Sequence, residues 1–149
     1  MRCSAYGLVL ALLTFGCGGP QRATIEGVVT LDGKPLADME VQFIPEPEQG
    51  RGAAPASAYT DEAGRYRIEA VGSGGVCVGP NRVCVNDARL MTPDGGTDPN
   101  DGMPGAITKT GVRRSRVPQI YSDANQTPHR NITVRPGVQT VDLALKLKL

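Results

Sequence analysis

The sequence predicts an all-β domain, a sandwich of short strands, on three observations. Apolar and polar residues alternate along most of the chain, turn-forming pairs fall between the alternating runs, and helical periodicity is almost absent. A strand with one buried face has period two, so each run offers one oily side to a core.

In chain order, Ile25, Val29 and Leu31 alternate with Glu26 and Thr30. Asp32-Gly33 follows, a strong hairpin signal because glycine accepts positive φ without a Cβ clash. Lys34-Pro35-Leu36 leads into a second run, where Met39, Val41 and Phe43 alternate with Glu40 and Gln42. Pro45 to Pro55, with Glu46, Glu48, Gly50 and Gly52, reads as a loop. Asp61-Glu62-Ala63-Gly64 then separates Ala58–Thr60 from Arg65–Ala70, in which Tyr66, Ile68 and Ala70 alternate with charged residues. Near the end, Pro136-Gly137 joins Asn131–Arg135 to Val138–Leu149. There Val141, Leu143, Leu145, Leu147 and Leu149 predict a final strand packed on the core. At least six short strands emerge.

The segment Gly75–Val85 predicts a hairpin centred on Gly79 to Arg82, which places Cys77 directly opposite Cys84. Opposed strand positions lie about 4.5 to 5.5 Å apart at Cα, within disulfide range. A Cys77–Cys84 bond of this kind would stabilise by roughly 2 to 3 kcal/mol, and an exported compartment permits it. Free buried thiols are the alternative, and the spacing is not the Cys-x-x-Cys of a redox motif.

Export is itself predicted. Met1 and Arg2 precede an apolar run, Ala5–Phe15, that ends in Gly16-Cys17-Gly18-Gly19-Pro20. A cationic end, an apolar stretch of about a dozen residues and a small residue before the processed position make a signal peptide. The run is broken by Thr14 and Gly16 and falls short of the roughly 20 apolar residues of a spanning helix. Leu13-Thr14-Phe15-Gly16-Cys17 resembles the lipobox of bacterial lipoproteins at Gly16 and Cys17, with leucine one place early. Residues 1–16 are thus expected to be a lipoprotein signal peptide, with Cys17 lipidated and residues 17–23 a tether. A plain cleaved signal is the alternative; either way Cys3 is lost. Acylation of Cys17 makes the lipid bilayer the domain's first partner, since two or more chains hold a protein stably on a membrane. The expected location is the cell envelope, on the outer membrane or a periplasm-facing membrane surface.

Removing residues 1–16 leaves about 130 residues, suited to one domain with one modest core. The full chain carries 16 basic and 15 acidic residues, and losing Arg2 leaves it formally neutral. Nucleic acid is therefore not an expected partner. Tryptophan is absent and aromatics are 4% of residues, which disfavours stacking platforms for bases or sugars.

Catalytic and metal-binding residues are expected to be none, and no cofactor is implied. His129 is the sole histidine, and Thr127-Pro128-His129-Arg130 supplies neither an orienting partner nor an electrophile-stabilising group. Cys77 and Cys84 with one distant histidine do not make a zinc set. Asp94 to Gly102 gathers oxygen ligands, but Lys109 stands where an EF-hand needs its bidentate glutamate. Residues 86–116 form a long Gly-, Pro- and Asp-rich excursion ending in Arg113-Arg114-Ser115-Arg116. A loop of that length is functional or disordered. Its acidic and basic halves are placed to close on each other or to present a partner surface.

The run Ile25 to Phe43 and the stretch Thr60-Asp61-Glu62-Ala63-Gly64-Arg65-Tyr66 resemble carboxypeptidase regulatory-like domains, the second matching their T-D-x-x-G-x-[FY] pattern. Gly75–Val85, Val117-Pro118-Gln119-Ile120-Tyr121 and Val134–Leu145 are similar to later elements of bacterial lipoprotein members. The resemblance covers roughly residues 24–149. It implies a single transthyretin-like or Ig-like sandwich of about seven strands, and a non-catalytic module. A purine-pathway hydrolase shares that architecture, but relies on several histidines and a C-terminal Tyr-Arg-Gly-Ser, where this chain ends Lys146-Leu147-Lys148-Leu149. The expected function is a membrane-tethered structural or protein-interaction module with an unknown envelope protein as partner. The alternative is a small-ligand or glycan-binding lipoprotein, which a concave apolar pocket bordered by Tyr59, Tyr66 or Tyr121 would favour.

Overall fold

The computed structural model describes residues 19–49, 52–90 and 114–148. Their strands are β1 (Arg22–Leu31), β2 (Lys34–Pro35), β3 (Met39–Pro45), β4 (Ala56–Tyr59), β5 (Arg65–Ile68), β6 (Val76–Cys77), β7 (Gly79–Asp87), β8 (Ile132–Val134), β9 (Val138–Thr140) and β10 (Leu143–Leu145). The fold is all-β, two sheets packed as a sandwich. Ten strands replace the expected seven or so, because several are pieces of two or three residues laid along one long neighbour.

That neighbour is β1, which gathers every other strand of the first sheet. On one edge it pairs antiparallel with β6, β5 and β2; on the other, β9 and β10 run parallel to it. The second sheet is antiparallel throughout, in the order β4-β3-β7-β8. Alternation decides what faces inward: Ile25 and Val29 of β1, Met39, Val41 and Phe43 of β3, Val83 and Val85 of β7, and Leu143 and Leu145 of β10 are all essentially inaccessible to solvent. Each such side chain contributes about 1.5 to 3 kcal/mol of burial, which drives the two sheets together.

The turn residues do what their chemistry requires. Asp32 and Gly33 have φ of 48° and 81°, the two positive values of a type I′ hairpin, and they bring Lys34 opposite Leu31. Thr60 to Tyr66 is a structural device from end to end. The Thr60 hydroxyl accepts from the Met39 N–H at 2.9 Å and donates to the Leu36 carbonyl at 2.8 Å. Asp61 accepts from the N–H groups of Ala63 and Arg65, closing the turn. The Tyr66 hydroxyl donates to the Val141 carbonyl at 2.6 Å, and that burial, with the charge of Asp142 nearby, pushes its pKa above the ordinary range.

Two expectations are corrected. Residues 79–82 do not form a hairpin: the chain passes from β6 in the first sheet to β7 in the second. Cys77 lies opposite Arg22, and Cys84 opposite Gln42. β7 pairs with β3 from Asn81 to Asp87 and with β8 from Gly79 to Asn81, while β6 pairs with β1, so the two cysteines stand in different sheets. Cys77 and Cys84 are accordingly free buried thiols, not the expected disulfide. The Cys77 sulfur lies 3.7 Å from the Ala54 carbonyl, and burial raises the pKa of Cys84. Both thiols should resist alkylation in the native protein and react together on unfolding, by mass spectrometry without reductant; a linked Cys77–Cys84 peptide would contradict this arrangement.

The expected last strand is also divided. Val141 and Asp142 interrupt it, and Leu147 is 57% exposed rather than buried. At the interruption Val141 N–H donates to the Glu26 carbonyl, while the Asp142 carboxylate accepts from Val28 N–H at 2.9 Å, a side chain standing in for a ladder carbonyl.

Candidate functional site

The register of the strands gives the sandwich two distinct ends. The chain enters at Arg22, and the same end holds the turn between β5 and β6, the loop after β3, and the Pro136-Gly137 connection. Gly137 accepts a hydrogen bond from Thr24 N–H there, and Gln21 accepts one from Val78 N–H. Glu46 anchors the β3–β4 loop by a two-pronged pair with Arg82, at 2.7 and 2.5 Å, and the guanidinium holds its carboxyl below the usual range.

At the far end, β1 stops at Leu31 and β7 at Asp87, opposite Met39. Ten residues of strand at about 3.3 Å each separate the ends by roughly 30 Å. The long excursion departs from Asp87 and returns at Arg116, so its base lies at the end away from Arg22.

That base is clamped. Asp87 has a side chain 2% exposed and takes three bonds from Arg116: from Nη2 at 2.8 Å, from Nε at 2.9 Å and from the backbone N–H at 3.1 Å. A fourth donor is the Arg89 N–H at 3.3 Å. The Arg116 guanidinium beside it holds the Asp87 carboxyl below its usual range, against the opposing pull of burial. Arg116 also reaches the Asp38 carbonyl at 3.3 Å, and Asp38 takes the Arg89 side chain at 2.7 Å on the open surface. Both stems are therefore tied to the strands, while 91–113 lies outside the described residues. Among the described residues the two stems meet through Asp87 and Arg116, 29 positions apart in sequence; the acidic stretch Asp94 to Asp101 lies outside the described residues.

The other expected residues fall elsewhere. Cys17 and the Asp94–Gly102 cluster lie outside the described residues. His129 is partly buried and stacked on Tyr121, with ring centroids 5.8 Å apart; its buried Nε2 has no hydrogen-bond partner among the described residues. Burial pushes its pKa below 6.5, so the unfolded chain binds the proton more readily. Stability should therefore fall as pH drops below 6.5 through the folded value, and His129→Phe should remove that component; an identical pH dependence in the variant by thermal denaturation would refute the assignment.

A shallow groove of about 600 Å³ lies along β1 and β5 and reaches the end of β4, bordered by Tyr59, Tyr66, Asp61, Arg65, Thr140 and Asp142. Tyr59 is 63% exposed at its rim, and Arg67 crosses its floor between Glu26 and Glu69. Tyr121, by contrast, is buried, its hydroxyl accepting from Lys146 N–H.

No family model matches the chain, and no curated protein matches it. Among solved structures it is similar in fold to a DUF3823 family protein from Parabacteroides merdae, with a TM-score of 0.40 and 12% identity over 85% of this chain and 46% of that one. It is also similar to the dioxygenase domain of a dioxygenase carbohydrate-binding protein fusion from Streptomyces sp. SirexAA-E, with a TM-score of 0.38 and 18% identity over 91% and 85% of the two chains. A chlorocatechol 1,2-dioxygenase from Pseudomonas putida gives 0.36 and 15% over 85% and 60%. The chain thus spans under half the length of the first of these proteins, and likenesses at this level carry no argument about chemistry.

Proposed function

We propose that this protein is a membrane-tethered, non-catalytic lipoprotein of the cell envelope, whose carboxypeptidase regulatory-like sandwich acts as a structural or protein-interaction module. The observation that supports this best is the separation of its ends. The segment that follows Cys17 enters at one end, and the clamped excursion leaves from the other, roughly 30 Å away along β1. A sandwich so arranged is a rigid spacer that holds the base of the excursion, Asp87 and Arg116, away from the bilayer and toward an envelope protein. The T-D-x-x-G-x-Y residues support the module reading, since each is occupied in a turn or strand contact.

The test is replacement of residues 91–113 by a short Gly/Ser linker. A photo-crosslinker at Leu90, on the retained stem, should trap a discrete envelope protein in cells expressing the parent chain, and the linker variant carrying the same crosslinker should lose that product while melting at the parent temperature. The same crosslinked product from both chains would defeat the reading.

The groove beside Tyr59 favours a second reading, a small-ligand or glycan-binding lipoprotein, because it is the tyrosine-bordered concavity such a function needs. Titration with envelope oligosaccharides should then perturb Tyr59, and Tyr59→Ala should abolish the response. Unchanged tyrosine fluorescence and no heat of binding would exclude it.

A further inference from the structure

Two exposed valines flank the point where the chain enters the sandwich. Val71 is 70% exposed in the turn between β5 and β6, and Val138 is 67% exposed at the start of β9. The register places them on either side of the first residues of β1: Ile68 pairs with Ile25 and Val76 with Ala23 on one edge, while Val138 pairs with Thr24 on the other. Gly19 and Pro20 line the same recess as Ala70, Gly72, Ser73 and Gly74. Cys17 precedes Gly19 by two residues, so their Cα atoms are no more than about 7 Å apart.

We infer that this end of the sandwich rests on the lipid surface itself, with Val71 and Val138 set into the interfacial layer beside the anchor. The inference rests on the reading of Cys17 as acylated, and the length of chain is its argument. A diacylglycerol on Cys17 sits in the bilayer, and two intervening peptide units cannot hold the β5–β6 turn clear of it. The charges at this end agree. At this end Glu46 is paired with Arg82, Glu69 shares Arg67 with Glu26, and Glu48 lies in the β3–β4 loop, while Arg22 at the start of β1 and Arg135 between β8 and β9 supply cations for anionic headgroups.

The test uses the chain beginning at Cys17, with that thiol coupled to a single maleimide-bearing acyl chain. Cys77 and Cys84 are 1% exposed and do not compete. One acyl chain gives only marginal, reversible binding, so partition onto vesicles of phosphatidylethanolamine and phosphatidylglycerol should fall about tenfold in Val71→Asp/Val138→Asp. Leu147→Asp, an exposed change at the far end, should leave partition as it is, and circular dichroism should show all three chains folded. Equal partition of the double variant and its parent would overturn the inference. Because the lipid is attached chemically, this outcome is independent of natural acylation, which is read separately from the mass of the mature N-terminus.

Discussion

Gly27→Ala should be among the most damaging single substitutions in the domain, costing at least about 3 kcal/mol and roughly 10 °C in Tm. A Cβ at this position would lie 1.9 Å from the Val141 carbonyl oxygen and 2.6 Å from its carbon. Neither is the movable end of a side chain. The Val141 oxygen is fixed by the Tyr66 hydroxyl at 2.6 Å, and the Val141 N–H is fixed by Glu26. Relief therefore requires the C-terminal strands to leave β1, where they supply Leu143 and Leu145 to the core. Tyr66→Phe, which removes the hydroxyl without adding bulk, should cost only about 1 to 2 kcal/mol. Urea denaturation of the three chains would decide the matter: a Gly27→Ala variant within 1 kcal/mol (roughly, on the scale of a neutral surface change) of the parent would show that the approach at Val141 is not a constraint.

Arg116→Ala should cost about 2 to 4 kcal/mol at neutral pH, because it leaves the Asp87 carboxylate, 2% exposed, without its cationic partner. Two backbone N–H groups would remain as donors, which keeps the loss below that of a bare buried charge. Arg116→Lys should restore only part of it, since a point charge cannot reproduce the paired Nε and Nη2 bonds. The pH dependence has a definite sign. The folded pKa of Asp87 lies below 3.8, so the clamp's contribution is complete above that value and disappears as pH falls through the folded pKa. Parent and Arg116→Ala should therefore begin to converge in stability as pH falls below 3.8, and converge fully only below the folded pKa of Asp87. A gap of the same size at acid and neutral pH would assign the loss to packing of the arginine stem instead.

These two sites mark how far the sequence could be followed. Asp32-Gly33 and Thr60 to Tyr66 were legible because their chemistry is local: positive φ, a side-chain turn, a hydroxyl between adjacent segments. The inward faces of β1, β3 and β5 were legible for the same reason, since alternation is a property of neighbouring residues. The pairing of β6 and β7 was not. Val76 to Val85 alternates equally well as a hairpin or as two strands in different sheets, and only the pairing of β6 with β1 and of β7 with β3 settles which.

Gly27 carried a faint signal that could have been read, because a glycine inside a strand often marks close approach of another backbone. What approaches it is set by Tyr66 and Val141, far along the chain. Arg116 was visible as part of a basic cluster, but its partner Asp87 lay across the whole excursion. The separation of Arg22 from the base of the excursion follows from strand direction alone, and strand direction is a property of the assembled sheets.

The proposed lipid anchor and the sandwich together should hold the base of the excursion away from the membrane. Resonance energy transfer reads this most directly in envelope membranes carrying the naturally processed protein, from a donor on Leu90→Cys to acceptors in the bilayer surface. Leu90 is 45% exposed at the base of the excursion, and the two native thiols in the fold are buried. The expected result is a membrane-bound population with a donor-to-surface distance of about 30 Å, the length of β1. A donor lying at the surface, or protein recovered free of the membrane with an unmodified Cys17, would contradict it.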